Sequence, residues 1–188
     1  VTMDLSLKGK IEKSAKIVEA STKGNLPVYG VNTGFGKLAN KIIPEEDREQ
    51  LQKNLVLSHC SGIGEPLPED VTRLMMILKM ISLSFGASGV KWSTINQIEK
   101  IINSGITPEI PHQGSVGASG DLAPLAHMAA LMIGEGWAFY NGEKLSGREA
   151  LQKVKIDPIV LGPKEGLALL NGTQFMGAYG VWSLLKAQ

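Results

Sequence analysis

Three stretches of this sequence hold side chains able to do chemistry: Tyr29-Gly30-Val31-Asn32-Thr33-Gly34-Phe35-Gly36-Lys37, Ser58-His59-Cys60, and Gly117-Ala118-Ser119-Gly120-Asp121. The first invites a phosphate-loop reading, but Lys37 is followed by Leu38 and Ala39, so the Ser or Thr of that motif and its strand-to-helix setting are missing. The third resembles a serine-hydrolase elbow until its fifth position, which is Asp121 where glycine is required. No strand precedes it, and a serine nucleophile needs a base with its own orienting acid. The histidines, His59, His112 and His127, do not fall at metal-ligand spacings, so no metal site is expected. A different chemistry suits Ala118-Ser119-Gly120 in a turn that opens a helix. The Gly120 nitrogen, with no Cβ in the way, can attack the Ala118 carbonyl and close a five-membered ring. Loss of one water from the ring and one from the Ser119 side chain leaves a methylidene-imidazolone, an electrophilic alkene made wholly of protein. Nearby helix N-termini favour the negative charge that develops when a nucleophile adds to it. Asp121 is expected to hold the strained turn.

The elements that must position these residues read as mainly helical. A helix around Ile11 to Thr22 stops at Gly24. Pro44 followed by Glu45, Glu46 and Asp47 starts a helix that runs to about His59. Pro68, Glu69 and Asp70 repeat that signal, and Val71, Leu74, Met75, Leu78 and Ile81 recur at helical spacing. Met76, Ile77 and Met80 fill the other faces, which predicts a helix buried nearly all round. Trp92, Ile95, Ile98 and Ile102 form another stripe, ended by Asn103 and Gly105. From Ile106 to Gly120 the prolines and glycines interrupt any regular element. Helix resumes from Asp121 to Ile133, and Trp137–Tyr140, Asn141-Gly142 and Glu143–Leu145 predict a hairpin. Ser146 with Glu149 is a capping box. After Gly162-Pro163 one long helix is expected to run from about residue 164 to the end.

Hydrophobic residues make up 43% of the 188 and charged residues 20%, a globular composition with no internal repeat or linker. Nineteen Lys plus Arg face 18 Asp plus Glu, which gives no footprint for nucleic acid or anionic membrane. The single cysteine, Cys60, forms no intramolecular disulfide and fits a cytoplasmic location. Gly166 to Leu185 lacks charge, but Asn171, Thr173, Gln174 and four glycines argue for burial in a helical core over a membrane span. Val1, and a helical pattern still open at Gln188, read as a chain cut at both ends.

The run Gly114-Ser115-Val116-Gly117-Ala118-Ser119-Gly120-Asp121-Leu122-Ala123-Pro124-Leu125-Ala126-His127 resembles the signature of the aromatic amino-acid ammonia-lyases. Tyr29 to Gly36 is similar to that family's tyrosine loop, Asn171-Gly172-Thr173-Gln174 to its asparagine segment, and Asn54 to Leu67 extends the similarity. Lys79-Met80-Ile81 departs from the Arg-x-Asn of many relatives, which concerns a local packing or polar contact. The resemblance implies a helical lyase fold with a small hairpin and long irregular active-site loops. It implies that Ala118, Ser119 and Gly120 become the prosthetic ring, with no external cofactor, and that Tyr29 removes the substrate's β-proton. A tyrosine base needs positive charge or aligned donors around its phenolate. Asn171 is similar to the residue that hydrogen-bonds near the ring.

Ser58-His59 stands where histidine-specific members carry Ser-His, tyrosine-specific members His-Leu and phenylalanine-specific members Phe-Leu. The resemblance therefore implies L-histidine as substrate, with urocanate and ammonia as products. Without it, His59 reads as a helix-end histidine satisfied by backbone, Asn171 as a buried amide between helices, and Tyr29 as a loop tyrosine packed on the core. Another aromatic amino-acid lyase, an aminomutase using the same ring, and an inactive assembly module are the alternatives. Residues 1–188 are expected to form a single N-terminal portion of a longer catalytic chain that assembles as a homotetramer.

Overall fold

The computed structural model describes residues 1–24, 26–117 and 121–188, so Ala118, Ser119 and Gly120 lie outside the described residues. Among those described, the fold is mainly α with little sheet. Helix α1 (Lys8–Ser21) is followed by the irregular tyrosine loop, a 3-10 turn at Glu45–Asp47 and α2 (Arg48–His59). Strand β1 (Ile63–Pro66) leads into α3 (Glu69–Ser84) and α4 (Trp92–Ser104). After the short strands β2 (Thr107–Pro108) and β3 (Pro111–Gln113) comes α5 (Leu122–Met132). The hairpin β4 (Trp137–Tyr140) and β5 (Glu143–Ser146) then gives way to α6 (Gly147–Lys153), α7 (Glu165–Leu170) and α8 (Gln174–Lys186).

The expected helices follow from their patterns. In α4, Ile95, Ile98, Ile101 and Ile102 are all at most 1% exposed, and burying each such side chain contributes about 2 kcal/mol. Gly105 ends α4 in the left-handed conformation at φ 83°. No residue of α3 from Val71 to Met80 is exposed, as the all-round pattern predicts, and α5 is buried throughout except for part of Leu122 and His127. The Asn141-Gly142 turn takes positive φ at both residues and joins β4 to β5 in antiparallel register, with Trp137 opposite Ser146 and Tyr140 opposite Glu143. Ser146 and Glu149 make the capping box of α6.

Two expectations are corrected. The interval from Ile106 is not wholly irregular: β2 adds to the hairpin through Thr107 and Pro108 opposite Phe139 and Ala138, while β3 pairs antiparallel with β1. The final helix is two helices, α7 and α8, separated at Asn171-Gly172-Thr173. No helix among the described residues is long and apolar enough to cross a membrane.

Candidate functional site

Asp121 follows Ala118-Ser119-Gly120 directly in the sequence and is fully buried. Its carboxylate does not cap its own helix, α5. One oxygen accepts the Ser115 hydroxyl at 2.6 Å, and the other accepts the Met176 amide in the first turn of α8 at 3.0 Å. The positive end of the α8 dipole and two donors offset the desolvation of this anion. The Asp121 amide donates to the Gly172 carbonyl at 3.0 Å. On the other side of the tripeptide in sequence, the Gly117 amide donates to the same Ser115 oxygen at 3.2 Å, with Gly117 at φ 66°. Positions 117 and 121 are thus both tied to Ser115, and position 121 is also anchored to the start of α8. Ring closure within a tripeptide requires compression, which fixed residues on either side can supply.

Tyr29 stands on a loop whose backbone is organised by buried polar side chains. The Val28 amide donates to Asn32 Oδ1 at 2.7 Å, Asn32 Nδ2 donates to the Leu26 carbonyl at 2.9 Å, and the Gly30 amide donates to Thr33 Oγ1 at 3.2 Å. Gly30 has φ 70°, and a Cβ there would come within 2.8 Å of Leu167 Cδ2, so glycine permits the loop to lie against α7. Tyr29 itself is 54% exposed, touches the Phe35 ring edge-on at 5.9 Å between centroids, and its hydroxyl bonds to no described residue. It is not packed into the core.

Ser58 and His59 end α2. The Leu55 carbonyl lies 2.8 Å from His59 Nδ1 and can only accept, so Nδ1 carries the hydrogen and Nε2 is left as an acceptor. The Ser58 hydroxyl also donates to the Leu55 carbonyl, at 3.1 Å, and lies 3.2 Å from Nδ1. His59 is therefore satisfied by backbone on one nitrogen, which leaves the other for a ligand. Beside it, burial pushes the Cys60 thiol up to about 11, and the thiol donates to the Val56 carbonyl, so it is no nucleophile near neutral pH. The Gly62 amide donates to His127 Nε2 at 3.2 Å. Burial lowers the His127 pKa against the opposing pull of Glu109, which favours the neutral ring that this bond needs.

Asn171 is exposed at the junction of α7 and α8, and its side chain bonds to no described residue. The expectation of a buried amide holding two helices is therefore not met. Its backbone is held instead: the amide closes α7 onto the Leu167 carbonyl at 3.0 Å, and the carbonyl accepts Lys79 Nζ at 2.6 Å. The sequence reading marked Lys79 only as part of a departure from the family pattern at a local packing or polar contact, and it gave Ser115 no role of its own. A lone cation inside the apolar run from Leu74 to Leu83 was the available signal for Lys79; Ser115 offered none beyond its place in the motif.

Helices α2, α5 and α7 pack on one another, with buried Gln52 of α2 accepting the Gly166 amide of α7 at 2.9 Å. A Cβ on Gly114 would lie 3.1 Å from Ala123 Cβ and 3.3 Å from Gly62 Cα. The chain leaving Ser58-His59 therefore meets the first turn of α5, Asp121 meets the Asn171-Gly172 segment, and the Tyr29 loop meets α7. Among the described residues no three His, Cys, Asp or Glu side chains cluster as metal ligands.

The chain is 53% identical over 186 residues to a histidine ammonia-lyase of Bradyrhizobium diazoefficiens, covering 99% of this chain and 36% of that protein. It superposes on the phenylalanine aminomutase of Pantoea agglomerans with a TM-score of 0.90 at 37% identity, covering 96% of this chain and 35% of that one. The histidine ammonia-lyase of Trypanosoma cruzi gives a TM-score of 0.90 at 36% identity, over 99% and 35% of the two chains. The chain thus spans about a third of the length of these relatives. The aromatic amino acid lyase profile matches residues 1–188 throughout, and with the identity to a histidine ammonia-lyase over nearly the whole chain, the chain belongs to the aromatic amino acid lyase family.

Proposed function

We propose that residues 1–188 are the N-terminal portion of the catalytic chain of an ammonia-lyase that converts L-histidine to urocanate and ammonia. Ala118, Ser119 and Gly120 close into the methylidene-imidazolone, which supplies an electrophile for the substrate and activates its amine to leave. The observation that carries the reading is the anchoring of Asp121 and Gly117 on either side of that tripeptide. Tyr29, held on its loop with a hydroxyl that bonds to no described residue, takes the β-proton as the general base. The β C–H electron pair becomes the new double bond, and the C–N bond breaks with the amine departing as ammonia.

Ser58 and His59 bind the imidazole of the substrate, His59 through the nitrogen that Leu55 leaves free. A site built to hydrogen-bond a polar ring disfavours a phenyl group, because its own polar atoms would then be unpaired. Asn171 hydrogen-bonds near the ring and the substrate. The likeness to an aminomutase as well as to a histidine ammonia-lyase supports a second reading, migration of the amine in place of its loss. In either reading the full-length protein assembles as a homotetramer that completes the site. Incubating it separately with histidine, tyrosine and phenylalanine and identifying the products tests this. Urocanate with equimolar ammonia from histidine is expected; a β-amino acid product, or turnover confined to phenylalanine or tyrosine, overturns the reading.

A further inference from the structure

A buried lysine reaches the junction where the Asn171-Gly172 segment meets Asp121. Lys79 of α3 is 1% exposed, and its Nζ donates to the Asn171 carbonyl at 2.6 Å. No carboxylate among the described residues pairs with it. Burial pushes its pKa down to about 8, so it remains largely protonated at neutral pH. A cation buried without a counter-ion destabilises a fold, and a well-packed apolar residue of similar volume serves the core better. Stability gives no reason for an ammonium here; the contact it makes does.

The Asn171 carbonyl and the Gly172 amide share one planar peptide. A donor fixed on that carbonyl sets the plane, and with it ψ of Asn171 and φ of Gly172. Gly172 sits at φ 146°, where only glycine is at ease, and a Cβ there would overlap the Gln174 side chain. Because glycine swings readily, the plane needs an external hold. The next carbonyl, that of Gly172, accepts the Asp121 amide at 3.0 Å. Two consecutive carbonyls are thus fixed by donors from different parts of the fold, one from α3 and one directly after the tripeptide. The Asn171 side chain bonds to no described residue, so its direction depends on this backbone.

We propose that Lys79 is a positioning residue: through the Asn171 carbonyl its ammonium sets the direction in which the Asn171 amide meets the substrate. This rests on the ammonia-lyase reading, and Lys79 touches no reacting atom.

The test uses the full-length protein and the variants Lys79→Met, Lys79→Arg, Asn171→Ala and the Lys79→Met/Asn171→Ala double. Lys79→Met is expected to lower kcat about 100-fold, the cost of a misplaced group at the reacting centre, with a smaller change in KM. Its melting temperature stays level or rises, and the tripeptide still loses its two waters. Lys79→Arg keeps the cation and recovers activity to within about tenfold of the parent. The double variant is no slower than Asn171→Ala alone, since both changes remove one shared interaction. Hydrogen exchange provides a readout that needs no activity: in Lys79→Met the Asp121 amide exchanges at least about tenfold faster. Unchanged kcat, losses that multiply in the double variant, loss of the ring in Lys79→Met, or unchanged Asp121 exchange would each overturn the proposal. If Lys79→Met does not fold, Lys79→Gln, which leaves a neutral donor, is measured against the same outcomes. A parent protein that releases no ammonia from any aromatic amino acid defeats the lyase reading alone, and the exchange experiment still decides the role of Lys79.

Discussion

At the scale of single residues, the contrast between Tyr29 and His59 is informative. Tyr29 is exposed, its hydroxyl bonds to no described residue, and the backbone of its loop is fixed by buried Asn32 and Thr33. Removing that hydroxyl should change chemistry and little else. In the full-length protein Tyr29→Phe is expected to lower turnover at least about 100-fold, the usual scale for a general base, while the peptide carrying Ala118-Ser119-Gly120 stays lighter by two waters. Unchanged turnover would place the base elsewhere. His59 has one nitrogen committed to the Leu55 carbonyl, so part of its role is structural. Replacing Ser58-His59 by Phe-Leu separates the two roles. The expected result is a shift in preference from histidine toward phenylalanine of about 100-fold, a size that unpaired polar groups can produce. A fall in melting temperature at a constant substrate ratio would show a helix-end histidine and nothing more.

At the scale of elements, Asp121 joins α5 to α8. Asp121→Ala would leave the Met176 amide and the Ser115 hydroxyl without their acceptor, and each such loss costs about 1–3 kcal/mol. Denaturant unfolding should show about 3 kcal/mol lost in Asp121→Ala. Asp121→Asn, whose amide oxygen can still face Met176 while Ser115 turns to accept, should lose less than about half of that. Equal losses would mean that the charge, and not the bonding pattern, stabilises the junction. What could be read from the sequence was local: the isoleucine stripe of α4, the Asn141-Gly142 hairpin, the Ser146/Glu149 box and the tripeptide before α5. What could not be read was the contribution of distant partners. Asn171-Gly172 interrupts an apolar run that also reads as continuous helix, and the bonds that hold it open come from Lys79, 92 positions away, and from Asp121. The β1–β3 pairing is hidden for the same reason. Lys79 resembles a misplaced surface lysine until its acceptor, a main-chain carbonyl with no signature of its own, is in place.

At the scale of the whole molecule, α8 packs on α3 but presents Met176, Val181, Leu184 and Leu185 at 41–66% exposure, and Ile81 of α3 and Phe85 just after it are exposed as well. Apolar surface of this extent promotes association. Residues 1–188 expressed alone are expected to self-associate in size-exclusion chromatography, to lack lyase activity and to keep Ala118, Ser119 and Gly120 largely uncyclised. A monomer lighter by two waters would show that these residues alone supply the strain. In the full-length protein the central claim is that Ala118-Ser119-Gly120 becomes the electrophile, and the most direct measurement is the mass of the peptide that contains it, beside the same peptide from Ser119→Ala. The parent peptide should be lighter than its sequence by two waters. The Ser119→Ala peptide should lack that two-water deficit, in a protein that folds but releases no ammonia. A parent peptide of full sequence mass from a protein that turns over histidine, or a Ser119→Ala variant with near-parental turnover, would contradict the claim.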